Sequence, residues 1–171
     1  DYKKLLGSNP LLLNELINAS TVNETYFFRE EKQFLVLKEK LFPQWKAFFG
    51  SLPIKVWSAA CSFGEEAYSV ALLARECGIA AEITASDINS EVLEHCKNGV
   101  FLGSSIRPVD GVIFKYLVTP YQREDRKVEF PVQIRNSIVT KKINLAQIDS
   151  PSTEYLLPKN QNIIFLRNVF I

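Results

Sequence analysis

Val56-Trp57-Ser58-Ala59-Ala60-Cys61-Ser62-Phe63-Gly64-Glu65-Glu66-Ala67-Tyr68-Ser69 reads as a buried strand, a tight turn and a helix start. The apolar run from Ile54 through Trp57 to the small residues Ala59 and Ala60 suits a strand covered on both faces, as in a parallel sheet. Gly64 supplies the turn. Glu65 and Glu66 then occupy the first turn of a helix, whose N-terminal dipole favours carboxylates. In open α/β folds a strand, a glycine turn and a helix N-terminus at the carboxyl edge of the sheet hold a nucleotide-like ligand. Only one glycine is present here, and acids stand where a phosphate would have to lie. The expected ligand is therefore nucleoside-like and cationic rather than a pyrophosphate.

The chain has 171 residues, of which 47% are hydrophobic, which suits one α/β domain with a sizeable core. A net charge of +1 with 23% charged residues and no basic stripe gives no reason to expect nucleic acid. The three cysteines, Cys61, Cys77 and Cys96, match no metal-ligand spacing and read as reduced cytosolic thiols. No apolar run approaches the roughly 18 residues of a membrane span, and no signal-peptide pattern opens the chain. The absence of methionine suggests a fragment.

Two βα units set the architecture. The helix after Gly64 runs to about residue 77 and stops at Gly78; a second strand, 82–86, delivers Asp87 to its carboxyl end. Ser90 is the expected cap of the next helix, which ends at Gly99. Further strands are expected at 138–143 and 162–166, ending in Asn144-Leu145 and Arg167-Asn168. Upstream, Pro10 opens a short amphipathic helix that reads as a packing helix. Thr21–Arg29 alternates polar and aromatic residues as pocket-lining loops do, and a helix from about Glu30 to Leu41 should stop before Pro43. Between 101 and 131 the pattern predicts short helices and loops, and between 149 and 161 a loop with one helical turn. The sum is a doubly wound, largely parallel sheet.

Few residues stand out chemically. Asp87 follows Gly64 by 23 residues, near the spacing of about 20 at which such folds set an acid against ribose hydroxyls; capping the next helix explains it equally well. Glu65 and Glu66 read either as plain first-turn carboxylates or as partners of a ligand ammonium or sulfonium. Asn144, Arg167 and Asn168 lie on the same sheet edge and are pocket-lining candidates together. His95, expected on an exposed helix face, has no evident triad partner, and Cys61 reads as a structural thiol.

Taken in order, the segments Thr21–Arg29, Val56–Glu66, Ala85-Ser86-Asp87-Ile88, Asn144-Leu145 and Arg167-Asn168-Val169 resemble the motifs of CheR-type chemotaxis receptor glutamate methyltransferases. The match covers about residues 20–171. The resemblance implies a Rossmann-like S-adenosylmethionine-dependent methyltransferase fold, a cytoplasmic enzyme that esterifies glutamates on the cytoplasmic helices of chemotaxis receptors, and S-adenosylhomocysteine as product. It implies that Asn23, Thr25, Glu66, Asp87, Asn144, Leu145, Arg167 and Asn168 bind the cofactor, with Asp87 on the ribose hydroxyls. Arg29 is implied in both binding and catalysis. Residues 1–20 would be the end of an N-terminal helical domain or a linker helix, and 21–171 the methyltransferase domain. Against the family, the chain reads as truncated at both ends, and Ala67 stands where proline is usual. The rival readings are a non-catalytic module sensing S-adenosylmethionine or S-adenosylhomocysteine, and a methyltransferase for a small molecule.

Overall fold

A computed structural model of the chain describes residues 2–169. Its helices are α1 (Tyr2–Ser8), α2 (Pro10–Ser20), α3 (Glu31–Val36), α4 (Phe42–Phe49), α5 (Glu65–Glu76) and α6 (Ser90–Asn98), followed by single turns. The strands are β1 (Ile54–Ala59), β2 (Ala81–Asp87), β3 (Val100–Phe101), β4 (Val128–Glu129), β5 (Ile138–Lys142) and β6 (Ile163–Leu166). β5, β2, β1 and β6 form one sheet in that order, every pair parallel. After β1 the chain goes to one side for β2 and β5 and returns to the other for β6. The carboxyl end of β1 is thus the point where strand order reverses.

β1 is central and nearly wholly buried, which is why it is written in small and apolar residues. One face of the sheet carries the main core: Ile54, Val56, Ile83, Ala85 and Phe165 pack against Val70, Leu73 and Ala74 of α5 and Leu93 of α6. α5 buries nine residues from Glu65 to Ala74, and the aromatic group of Tyr68, Phe101 and Phe130 closes over it with ring centroids 4.7–5.8 Å apart. The other face is covered thinly, by Leu145, Leu156 and Leu157 around Trp57, Ala59 and Ile143. Val139, Ile164 and Leu166 remain exposed there.

Four local expectations change. The helix expected to stop before Pro43 continues through it, because Leu37–Leu41 forms a π turn in which the Phe42 N–H bonds the Leu37 carbonyl, five residues back. The wide turn hands over to α4 where Pro43 needs no N–H. The cap of α6 is Asn89, whose side chain accepts from the Glu91 and Val92 amides. α2 buries no residue; it meets α6 through Asn14 and Asn18, which reach Ser90 and Glu91, while Leu11 is exposed. Between 101 and 131 the short turns are joined by an antiparallel pairing of β3 with β4.

Candidate functional site

A cleft of about 250 Å³ opens at the carboxyl end of β1. Its floor is the strand-to-helix turn Ala60–Ser62 with Glu66 from α5, its flanks are Asp87-Ile88 after β2 and Arg167–Val169 after β6, and its lid is the loop Thr21–Thr25 with Arg29. The backbone is strained around it: Phe28, Glu30, Ala60, Ser62 and Asn168 take positive φ between 51° and 58°, five of the seven non-glycine residues that do so among those described. Gly64, at φ 102°, starts α5, and a Cβ there would lie 2.3 Å from Cys96 Sγ. Only glycine allows β1, α5 and α6 to approach this closely.

Glu65 and Glu66 point to different places, as successive helix positions must. Glu66 Oε1 accepts from the Ser58 hydroxyl at 2.6 Å, and Oε2 accepts from Arg167 Nε at 2.6 Å. Both members of this ion pair are largely buried, and Arg167 also donates to the Arg29 carbonyl and to Gln33. Its guanidinium lies 5.7 Å from the centroids of Phe34 and Phe165. Asp87, 7% exposed, accepts from the Ser62 and Asn89 amides, each at 2.9 Å. Two backbone donors fix the carboxylate, and its remaining lone pairs stay available to ligand hydroxyls.

Glu65 faces away from this cleft. Its Oε1 accepts from Ser105 at 2.8 Å and its Oε2 has no hydrogen-bond partner. Burial pushes its carboxyl up to about 7, against the opposing effects of the Ser105 hydroxyl, its own backbone amide and the Thr25 side chain. It lines a second cleft of about 210 Å³, which shares the wall Asn23–Thr25 with the first. The shared wall is pinned below by the Phe28 N–H donating to Ser69 Oγ, which itself donates to the Glu65 carbonyl, and by the Phe27 N–H donating to the Ser105 carbonyl.

The chain matches the model of the CheR methyltransferase S-adenosylmethionine-binding domain over residues 23–171. The chain belongs to the CheR methyltransferase family. Similar proteins include the chemotaxis protein methyltransferases of Borreliella burgdorferi (33% identical, covering 93% of this chain and 57% of the relative) and Vibrio anguillarum (33%, covering 96% and 59%). That of Salmonella typhimurium is 32% identical, covering 91% of this chain and 52% of the relative. The chain spans just over half the length of the curated relatives it matches.

S-adenosylmethionine is the cofactor of this CheR domain, and the residues present fit it. A ligand carrying ribose hydroxyls, an ammonium and a carboxylate meets a backbone-held acid (Asp87), a second acid (Glu66) and two arginines (Arg29, Arg167) in one cleft. Glu66, one of the two acids read as possible partners of a ligand ammonium or sulfonium, already shares its charge with Arg167.

Of the residues singled out in the sequence, Asn23, Thr25, Arg29, Glu66, Asp87, Arg167 and Asn168 line the cleft together. Asn144 and Leu145 do not. Asn144 turns back to accept from the Ala146 amide at 3.0 Å, and Leu145 packs on the small cluster around Trp57. Arg29 donates to the Glu24 carbonyl and lies over the Tyr26 ring at 5.5 Å. His95 is half-buried between Phe63 and Phe101 rather than exposed, and burial lowers its pKa. Hydrogen bonding to Cys96, together with burial, pushes the Cys61 thiol well above its ordinary value, so it is no ready nucleophile. Sequence reasoning missed Ser58 and Gln33 as supports of the ion pair. A serine inside an apolar strand was the available signal for Ser58.

Proposed function

We propose that this protein transfers a methyl group from S-adenosylmethionine to glutamate side chains on the cytoplasmic helices of chemotaxis receptors, giving glutamyl methyl esters in the cytoplasm. The observation carrying this reading is the buried Glu66–Arg167 pair sharing a cleft with Asp87 and Arg29 at the topological switch point. The names of the relatives support the chemotactic setting. Residues 21–171 form the methyltransferase domain in this reading. Residues 1–20 form the end of a helical domain or linker, supported by α2 burying none of its residues.

Asp87 receives the ribose hydroxyls, Glu66 and Arg167 the charged amino-acid end, and Asn23, Thr25 and Asn168 close over the bound molecule. Asn144 and Leu145, which lie outside the cleft as it stands, are assigned to the cofactor by the family resemblance alone. Bound S-adenosylmethionine supplies a methyl group activated by its sulfonium. The acceptor carboxylate, with an ordinary pKa of about 4.3, would take that methyl group as the anion, its oxygen replacing the sulfur, which would leave with the electron pair as a neutral thioether. No proton moves. Arg29 orients the incoming carboxylate through its fork, and the loop Thr21–Arg29 limits water; the catalytic gain is positioning. An over-tight arginine grip would stabilise the ground state and slow attack.

The test adds S-adenosylmethionine with a labelled methyl group and receptor-containing membranes to the purified protein. Base-labile methanol-releasing label on the receptor is expected. Measurable cofactor binding without such label would overturn the enzyme reading.

A further inference from the structure

The transfer described above needs no proton donor, yet Glu65 is buried with one carboxyl oxygen unpartnered. The residue is 3% exposed and its Oε2 has no hydrogen-bond partner, a costly arrangement unless something else meets it. The cleft it lines shares Asn23, Glu24 and Thr25 with the cofactor cleft, and adds Ser104, Arg107 and a partly apolar floor from Phe63 and Leu102. The two clefts are therefore neighbours across residues 23–25.

We propose that the second cleft is a subsite for a second carboxylate of the methyl-accepting segment, one that is held rather than methylated. This inference rests on the methyltransferase reading. The donors suit an anion. Arg107 offers a guanidinium fork, and its present partner Glu24 is a loose one at 3.7 Å, with side chains 45% and 66% exposed. Such an exposed pair contributes little and is readily exchanged for a better-placed carboxylate. Ser104 adds a hydroxyl. Glu65 in its acid form turns the unpartnered oxygen into an O–H donor.

Protonation sets the direction of the pH dependence. Four titratable or charged groups line this cleft: Glu65 from α5, His95 from α6, and Glu24 and Arg107 from the loops. Burial lowers the His95 pKa, so it is mostly neutral at and above its ordinary value. Glu65, whose carboxyl burial pushes up to about 7, is the group that changes across neutrality. Below that pH it donates to the ligand carboxylate; above it, it repels.

The experiment measures peptide binding calorimetrically to protein saturated with S-adenosylhomocysteine, so that no turnover intervenes. One peptide carries a single glutamate; the others add a second acidic residue one to four positions away on either side. At least one spacing should bind about tenfold tighter at pH 6, with the advantage shrinking severalfold by pH 8. Arg107→Ala, at a half-exposed position, should remove the advantage; Glu65→Gln, which keeps a donor, should retain it and flatten its pH dependence. No advantage at any spacing, an advantage surviving Arg107→Ala, or one that grows with pH, as a bound cation would give, overturns the proposal. Methyl ester formation on the single-glutamate peptide is scored separately, so a failure of the transferase reading is distinguishable from a failure of the subsite.

Discussion

Asp87 and Glu65 are both buried carboxylates, and their surroundings give them opposite characters. Asp87 is held by two amide donors, so replacing it by alanine should remove charge-assisted contacts to the cofactor. S-adenosylhomocysteine binding should weaken by about 1.5–3 kcal/mol in calorimetry, and unchanged affinity would show that the ribose assignment is wrong. Glu65 is raised from 4.5 to about 7, so the folded state holds its proton more tightly than the unfolded state. Its contribution is fully present below pH 4.5 and is lost as pH rises through about 7, an effect on the order of 3 kcal/mol. Glu65→Gln should therefore stabilise the protein at pH 8 and change little at pH 5, as read by denaturant midpoints. A variant no more stable at pH 8 would contradict the raised pKa.

At the scale of elements, the site is where three strand ends and the start of one helix meet. Gly64→Ala places a side chain at φ 102° and 2.3 Å from Cys96 Sγ; a loss of roughly 2–4 kcal/mol is expected. Adding Cys96→Ala should relieve only part of the clash, because the Cβ of residue 96 would still lie 2.9 Å away, and none of the backbone strain, giving a non-additive pair. Arg167 joins β6 to α5 through Glu66 and to the loop before α3 through the Arg29 carbonyl. Arg167→Met leaves Glu66 buried and unpaired, at a cost of roughly 3–5 kcal/mol. Glu66→Gln in that background should restore much of it, since the amide carries no charge; equal stability of the single and double variants would show the pair to be inert. The strand-turn-helix unit was legible because its periodicity and its one glycine act locally. The run through Pro43 was not, because the π turn that tolerates it is a hydrogen-bond shift with no residue signature.

For the whole molecule, the cleft is assembled from residues as distant in sequence as Thr21 and Val169, so ligand binding and folding are linked. S-adenosylhomocysteine at one hundred times its dissociation constant should add about 2.7 kcal/mol, which for a domain of this size is a rise in Tm of about 5–10 °C. An unshifted Tm at saturation would mean that the cleft does not bind it. The near-neutral charge of +1 leaves association with acidic or basic partners to local groups such as Arg29 and Arg107 rather than to a global field.

The sequence by itself determined the parallel α/β sheet, the glycine turn and the acid at the end of the second strand, because period, turn chemistry and spacing along the chain are local properties. Its ordered motifs also identified the family. Only the tertiary structure decided what the two adjacent glutamates do. One helical step turns Glu66 toward Arg167, 101 residues away along the chain, and Glu65 toward Ser105, 40 residues away. The first becomes a paired anion and the second a carboxyl that keeps its proton near neutrality, because burial with or without a counter-charge is a property of the packed molecule.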